Sequence, residues 1–436
     1  MSTQLNAPIT REGVEAASRA KREPEWLTAL RAEAAALAET LEWPKPEKIR
    51  IDRWNLTALG TDKQPALEQD LSALPEAIRA SLPGDAQGNL VVQRNSGAQY
   101  RKLSDELKAQ GVIFTDLETA AREHGDLVQK HLFGTIAKDE DKLTALHAAL
   151  WNGGVFVYVP KNVEVSIPLQ AVLYHDDAEA AFAPHVLIVA EANSSVSYVD
   201  RVLTSGEGGS APVVHHAAVE VVVGSGATVR FASIHNLADS VTDLTIRRAT
   251  LANDARVEWI IGDLNDGNTL SHTKSELKGN GSTSDAKVIS VGTHNQNMSL
   301  TTQAVHFGRS SESDMVTRAV IRDQASAIIN GITKIEKGAT KANGQQTERV
   351  LMLSPKARGD ANPILLIDED DVKAGHAASV GQVNAEQIYY LMSRGIAKAE
   401  AERLIIHGFL APVVSEIPIE AVREELQRIL ERKLDA

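Results

Sequence analysis

Polar and apolar positions alternate with period two through a long central stretch of the chain, from Gly153 to about Val383. Within this stretch, β-branched residues recur in short apolar runs separated by Gly, Asn, Ser and Asp, which is the pattern of strands joined by turns. No amphipathic helix of ordinary length fits inside it. The pattern therefore predicts a core of many short β-strands.

The strand-like runs also resemble one another. Each begins with small or polar residues, reaches a valine and then alternates, and the valines concerned are Val196, Val229, Val257, Val288 and Val316. Their separation is roughly 30 residues, a drifting period that is typical of stacked β units. Few aromatic residues and no Trp-Asp signature disfavour a propeller. We therefore predict a β-helix or an irregular stacked sandwich, with an ordinary two-sheet sandwich as a further alternative.

The residues before this stretch have a helical pattern. Strong helix formers dominate from Arg31 to Trp43, and the prolines that follow end this helix. Thr115 to Glu118 offers an N-cap for a second helix. A further helix is predicted from Lys142 to Trp151, because Asn152-Gly153-Gly154 supplies a left-handed stop.

The pattern becomes helical again after Val383. Asn384 and Gln387 resemble a capping box, and a second helix is predicted from about Ala397 to His407, closed by Gly408. The last helix is amphipathic and docks either on its own domain or on a partner; its apolar face consists of Ile419, Val422, Leu426, Ile429 and Leu430. These boundaries divide the chain into an N-terminal helical region (1–152), a β-helix core (153–383) and a C-terminal helical region (384–436).

Composition narrows the function classes. The net charge of −13 disfavours a nucleic-acid-binding protein, which needs a basic face to neutralise phosphates. No apolar run approaches the ~20 residues of a membrane span, and the first residues lack the apolar core of a signal peptide. We therefore expect a soluble, cytoplasmic protein with neither a nucleic-acid nor a membrane partner.

Cysteine is absent from the chain. This excludes disulfides, thiolate nucleophiles, zinc–thiolate sites and an Fe–S cluster that is ligated by cysteines of this chain alone. It leaves open a cluster site that is shared with another chain.

Sequence motifs for catalysis are missing. No Gly-Lys pair is present for a nucleotide-binding P-loop, and neither a G-x-S-x-G elbow nor an H-E-x-x-H zinc helix occurs. Adjacent His215 and His216 point to opposite faces of a strand, which makes a poor chelate. The other histidines of the β-rich stretch are too scattered to predict a ligand set: His175, His185, His235, His272, His294 and His306.

The junction between the strands and the C-terminal helices holds the remaining candidates. The apolar run Ile364 to Ile367 meets the acids Asp368 to Asp371, and small residues then surround His376. Imidazole is a borderline ligand for iron or zinc, although the residues alone favour a structural corner histidine. The acids are typical of a solvated turn; in an alternative reading, Asp368, Asp370 and Asp371 are the catalytic carboxylates of a cytoplasmic β-helix enzyme acting on polysaccharide.

Several segments together resemble one known family. Asn152 to Pro160, followed by Ile167 to Gln170, resembles the opening of the SufB/SufD family, and Gly111 to Glu118 resembles the N-terminal domain of its SufD branch. The C-terminal block of the family is matched by four segments: Ser354 to Ala357, Ile367 to Val372, Gly375 to Ala377 and Tyr390 to Gly395. The resemblance covers nearly the whole chain.

This resemblance implies a right-handed parallel β-helix flanked by helical regions, and a non-enzymatic scaffold role in Fe–S cluster assembly. It implies that a SufB-like subunit pairs edge to edge with the β-helix, and that His376 faces a transient cluster at that interface as a metal ligand. No cofactor is then bound by this chain alone. Because the chain lacks cysteine, with Ala374 where many relatives carry one, sulfur chemistry falls to the partner. A homodimeric adaptor that uses the same edge is a further alternative.

The resemblance also implies a second partner, a SufC-like ATPase, which carries the ATP and docks on the C-terminal helices. The candidate docking residues are Tyr390, Leu391, Met392, Arg394, Leu404 and Phe409.

Overall fold

Two long β-sheets form the centre of the protein, whose computed structural model describes residues 9–82, 88–205, 211–415 and 420–435. The strands are β1 (Leu90–Arg94), β2 (Gly97–Lys102), β3 (Ile113–Asp116), β4 (Val155–Val159), β5 (Leu169–His175), β6 (His185–Ala190), β7 (Ser195–Thr204), β8 (Val213–Val223), β9 (Thr228–Asn236), β10 (Val241–Leu251), β11 (Arg256–Asp263), β12 (Thr269–Leu277), β13 (Thr283–Gly292), β14 (Asn297–His306), β15 (Glu312–Ile321), β16 (Ser326–Ile335), β17 (Asn343–Met352), β18 (Arg358–Ile367) and β19 (Lys373–Gln382).

Consecutive strands of the core go alternately to the two sheets. The first sheet has the order β19-β17-β15-β13-β11-β9-β7-β5-β1-β2, and the second has the order β18-β16-β14-β12-β10-β8-β6-β4-β3. Every ladder that joins two of the strands β4 to β19 is parallel. The chain therefore winds as a solenoid of about eight turns, which confirms the predicted β-helix core flanked by helices and not the sandwich.

The prediction that the repeated valines stack in one row is only partly confirmed. Val196, Val229 and Val257 do occupy one row, since Val229 pairs with each of the other two. The partner of Val257 on β13, however, is Ser284 and not Val288. The repeat length is close to that predicted, but the row of valines breaks where polar residues begin to fill the interior.

Helices precede and follow the strands of the solenoid along the chain. They are α1 (Arg11–Ala20), α2 (Glu25–Thr40), α3 (Glu76–Ser81), α4 (Asp105–Ala109), α5 (Leu117–Glu123), α6 (Gly125–His131), α7 (Lys142–Leu150), α8 (Ala385–Ser393), α9 (Lys398–Val414) and α10 (Glu420–Asp435), with short 3-10 helices at Ile51–Arg53 and Leu71–Ala73. Among the described residues, no helix is both long and apolar enough to span a membrane.

Two N-terminal helices begin at predicted signals, whereas the helix predicted from Arg31 to Trp43 is observed as α2, Glu25–Thr40. Asp116 caps α5 by accepting from the Thr119 amide, and Asp141 caps α7 in a reciprocal capping box with Thr144. The strands of this region were not predicted. β1 continues the first sheet beside β5, and β3 closes the second sheet against β4, so the N-terminal segment extends both sheets.

The C-terminal helices pack on the outer face of the first sheet. Buried Ile406 and Leu410 of α9 and Leu426 of α10 share one apolar cluster with Ile234 and Ile260 of the sheet. The amphipathic last helix thus docks on its own chain. Of its predicted apolar face, Ile419 and the side chain of Val422 lie outside the described residues.

The predicted end of the second C-terminal helix was wrong. Gly408 lies inside α9, which continues to Val414 through Pro412. Leu410 and Val413, beyond the predicted stop, are buried against the sheet. This burial outweighs the weak helix propensity of glycine.

Candidate functional site

His376 lies on β19, the last strand of the first sheet, and its side chain is exposed. In the parallel register, it ends a row of inward-facing positions that runs through successive turns: Tyr198, Phe231, Trp259, Ala286, Met315, Gln346 and His376. The earlier members of this row are all buried. His376 therefore belongs to the interior row of the solenoid and is exposed because the solenoid ends there.

The end of the solenoid has two open strand edges. No described strand pairs with the outer edges of β18 and β19. Large apolar side chains also remain partly exposed at this end, namely Leu366, Ile367 and Val380. Unpaired backbone groups next to apolar side chains form the kind of edge that natural sheets normally protect.

Buried polar groups lie one turn below His376. Gln346, its register partner on β17, donates from Nε2 to the Gly331 carbonyl (3.2 Å) and accepts at Oε1 from Thr333 Oγ1 (2.8 Å). Glu348, two residues further along β17, is only 1 % exposed. Burial raises the pKa of the Glu348 carboxyl to about 7, because desolvation disfavours the charged form.

The acids between β18 and β19 form a turn. Asp368, Asp370 and Asp371 are exposed, and the side chain of Asp370 is fully in solvent. Glu369, which was not singled out from the sequence, organises this turn by accepting from the Gly338 amide (2.9 Å). The three aspartates thus lie in a solvated turn, as the sequence indicates.

Helices α8 and α9 enclose an open groove of about 500 Å³, next to the end of the solenoid. Three of the predicted docking residues, Tyr390, Leu391 and Leu404, line it. The Tyr390 and Leu404 side chains are 58 % and 45 % exposed. These two apolar groups therefore lie largely uncovered on the helical tail.

The other three predicted docking residues do not line this groove. Arg394 stacks over the Tyr390 ring at 5.2 Å and donates to its hydroxyl (3.3 Å), and Met392 is exposed on α8. Phe409 instead faces the solenoid, where its carbonyl accepts from Arg318 and its ring packs against the apolar cluster under α9. The structure therefore brings together only part of the predicted set.

The interior of the solenoid contains a carboxylate that the sequence did not reveal. Asp243 Oδ1 accepts from His215 Nδ1 (2.8 Å) and Thr245 Oγ1 (2.6 Å), and Oδ2 accepts from His235 Nδ1 (2.8 Å) and Asn265 Nδ2 (2.7 Å). Burial opposes ionisation, but the two histidine rings outweigh it and hold the pKa of Asp243 well below its ordinary value. The His215, His235 and Asp243 donor atoms lie close enough to hold a metal ion. Because every carboxylate oxygen is already satisfied, we interpret the group as a hydrogen-bonded core.

A second buried histidine chain joins the N-terminal helices to the solenoid. His147 on α7 contacts the His185 ring (3.1 Å), and His185 contacts Glu220 (3.1 Å). Glu220 also accepts from the backbone amides of Phe133, Thr135 and Ile136. His216 points outward toward His147 while His215 points inward, as alternation predicts. The Asp243 and Glu220 networks can be recognised only from the register of the parallel strands, which the sequence does not reveal.

These features define a class of protein: a two-sheet β-helix with helical ends, whose terminal strand presents a single exposed histidine. Residues 173–409 match the family model described as SUF system FeS cluster assembly, SufBD core domain, and residues 85–171 match the SufBD protein N-terminal region. The chain therefore belongs to the SufB/SufD family, which confirms the resemblance seen in the sequence.

Curated relatives refine this placement. The iron-sulfur cluster assembly protein SufD of Bacillus subtilis is 49% identical over 100% of this chain and 99% of its own length. SufB of the same organism is 29% identical, and a SufBD family protein of Staphylococcus epidermidis is 28% identical, each over 98% of this chain and 93% of its own length. The chain is thus a SufD-like iron–sulfur cluster assembly protein.

Proposed function

We propose that this chain is a non-catalytic scaffold subunit that pairs with a SufB-like subunit through the open end of its β-helix. The observation that carries the proposal is strand β19, which has an outer edge unpaired by any described strand and presents the exposed His376. A transient Fe–S cluster is held between the two chains, with this chain binding no cofactor alone. Because the chain has no cysteine, thiolate ligands and sulfur transfer belong to the partner.

The chemistry of the open end supports strand pairing. Unsatisfied backbone groups of an edge strand add a further strand through main-chain hydrogen bonds. Burial of Leu366, Ile367 and Val380 would add an apolar contribution of about 25 cal/mol per Å². His376 then lies inside the joint, where an imidazole supplies a neutral ligand for iron.

The C-terminal helices supply the second proposed interface, for a SufC-like ATPase that carries ATP. The groove between α8 and α9 holds exposed Tyr390 and Leu404, and aromatic side chains are frequent anchors of protein interfaces. α8 begins three residues after the end of β19. Movement of the helices by the ATPase would therefore reach the strand that carries His376.

Size-exclusion chromatography with purified SufB-like and SufC-like subunits tests the assembly. We expect Val380→Asp to prevent coelution with the SufB-like subunit, because it buries a charge in the strand-pairing contact. Ile167→Asp is the matched control, since Ile167 is also exposed (55 %) but precedes β5, far along the solenoid from β19. Absence of any joint complex with the unmodified chain would refute the proposal, and a stable homodimer in its place would favour the homodimeric adaptor.

His376 is tested separately, through cluster formation. We expect His376→Ala to leave coelution intact and to lower the yield of cluster, measured by the visible absorbance of the reconstituted complex. An unchanged yield would make His376 a structural residue.

The ATPase interface has its own test. We expect Leu404→Asp to abolish coelution with the SufC-like subunit while pairing with the SufB-like subunit persists. Loss of both partners in this variant would instead indicate that the tail had misfolded.

A further inference from the structure

A buried carboxyl lies beneath the open end, and no salt bridge pairs it with a basic side chain in the part of the chain that the structure describes. Glu348 occupies an inward-facing position of β17, and its Oε2 atom has no hydrogen-bond partner among the described residues. The inward neighbours in its row are Thr317 on β15 and Ala378 on β19. Neither of these side chains carries a charge. A buried carboxylate without a partner is costly, so a positively charged ligand would stabilise it.

The carboxyl has a defined place in the fold. A Cβ atom added to Gly331, on the opposite sheet, would lie 1.8 Å from Glu348 Oε1. The side chain therefore reaches across the interior into the space that glycine leaves. Gln346 donates to the carbonyl of the same Gly331. Glu348 and Gln346 together form a polar floor under the last turn.

The last turn, formed by β18 and β19, places little side-chain bulk over Glu348 and Gln346. Glu348 lies in register with Ala378, and Gly331 lies in register with Pro363. The inward positions of this turn are apolar except for His376 and, at the end of β19, Gln382; they are Gly359, Ala361, Pro363, Leu365, Ile367, Ala374, His376, Ala378, Val380 and Gln382. His376 and Glu348 lie on the paired strands β19 and β17, as diagonal neighbours on the same inward face.

We propose that Glu348 and His376 are the two donors that this chain contributes to a divalent-cation site at the open end of the β-helix. The part played by His376 rests on the function proposed above, whereas Glu348 is a new ligand. An imidazole and a carboxylate suit borderline ions such as Fe²⁺, Co²⁺ and Zn²⁺. The remaining ligands come from the partner chain across the open end, and the ion is cargo of the assembly reaction.

Titration of the full-length chain with Co²⁺ tests the site, because its visible absorbance and binding heat report the ligands directly. We expect Glu348→Gln and His376→Ala each to weaken one Co²⁺ binding event by about tenfold or more. Glu312→Gln is the matched control, since Glu312 is an exposed residue of β15 in the same sheet, and it should bind Co²⁺ like the unmodified chain. Equal binding by Glu348→Gln and the unmodified chain would overturn the proposal.

A second variant separates the position of the carboxyl from its charge. Gly331→Ala keeps both donors but fills the space that the Glu348 carboxyl occupies, so it should weaken Co²⁺ binding as well. Binding unchanged by Gly331→Ala would show that the carboxyl does not act from this place. Chromatography with the SufB-like subunit keeps the two proposals distinct: Glu348→Gln should still coelute, and failure of the unmodified chain to coelute would refute the assembly role alone.

Discussion

Replacement of Glu348 by glutamine should make the protein more stable in alkaline solution and leave its stability in acid almost unchanged. The folded protein holds the pKa of this carboxyl at about 7, against an ordinary value of 4.5. The unfolded chain therefore releases the proton at a lower pH than the folded protein does. Folding stability falls as the pH rises from about 4.5 to 7, and the loss is complete above pH 7.

The size of this effect follows from the two pKa values. Each unit of pKa difference corresponds to about 1.4 kcal/mol, so the 4.5-to-7 difference sets an upper limit of roughly 3 kcal/mol at pH 8. Glutamine has nearly the same shape and never ionises. At pH 4.5 it replaces a protonated carboxyl, and the two proteins should unfold at nearly the same urea concentration.

Equilibrium urea unfolding at pH 4.5, 6, 7 and 8, followed by tryptophan fluorescence, measures this difference. Trp259 is buried in the same solenoid interior, so its emission reports unfolding of the core. The variant is compared with the unmodified chain at each pH, so the contributions of other titrating groups to the free energy of unfolding cancel. Glu312→Gln, on the exposed surface, controls for the loss of one charge. If the difference in the free energy of unfolding between Glu348→Gln and the unmodified chain is the same at every pH, the reasoning is refuted.

Three further variants test other parts of the fold. Asp243→Asn should cost roughly 3 kcal/mol, because an amide presents donors to groups that already donate; unfolding midpoints below those of the unmodified chain at pH 7 check this. Glu425→Ala removes the partner of buried Arg201 and should cost about 3 kcal/mol; faster limited proteolysis of α10 checks it, and unchanged cleavage would contradict it. Gly154→Ala places a Cβ 2.0 Å from the His185 carbonyl at a φ of +84°, so soluble expression should fall sharply.

The sequence predicted the architecture because the responsible signals are local. Period-two alternation identified the β core, and side-chain caps such as Asp116 and Asp141 located helix starts. The β1 strand was missed, because it is only five residues long and gains its stability from the non-local ladder with β5. Gly408 was predicted to end the helix because glycine has a weak helix propensity, which is a local signal. The burial of Leu410 and Val413 that overrides this propensity depends on tertiary contacts.

The candidate site divides in the same way. His376 could be singled out because its neighbours are small and its segment resembles a known family. Glu348 could not, because a glutamate in an alternating strand becomes unusual only when the register places it inside. The histidine pairs with Asp243 and Glu220 likewise depend on strands that are adjacent in space and separated in sequence.

Helices α9 and α10 pack against some turns of the solenoid and not against others. Along the solenoid, the apolar cluster beneath α9 and α10 reaches from Val199 to Leu353 and includes no described residue of β19. In a stacked array each turn is stabilised mainly by its neighbours, so β19, with one paired neighbour, should open locally at a lower free energy than strands of the same sheet that are paired on both sides. Its amide protons should exchange with deuterium before those of β13 or β15. β19 would then open and re-pair locally while the rest of the protein stays folded. Pairing with another chain would suppress this local opening.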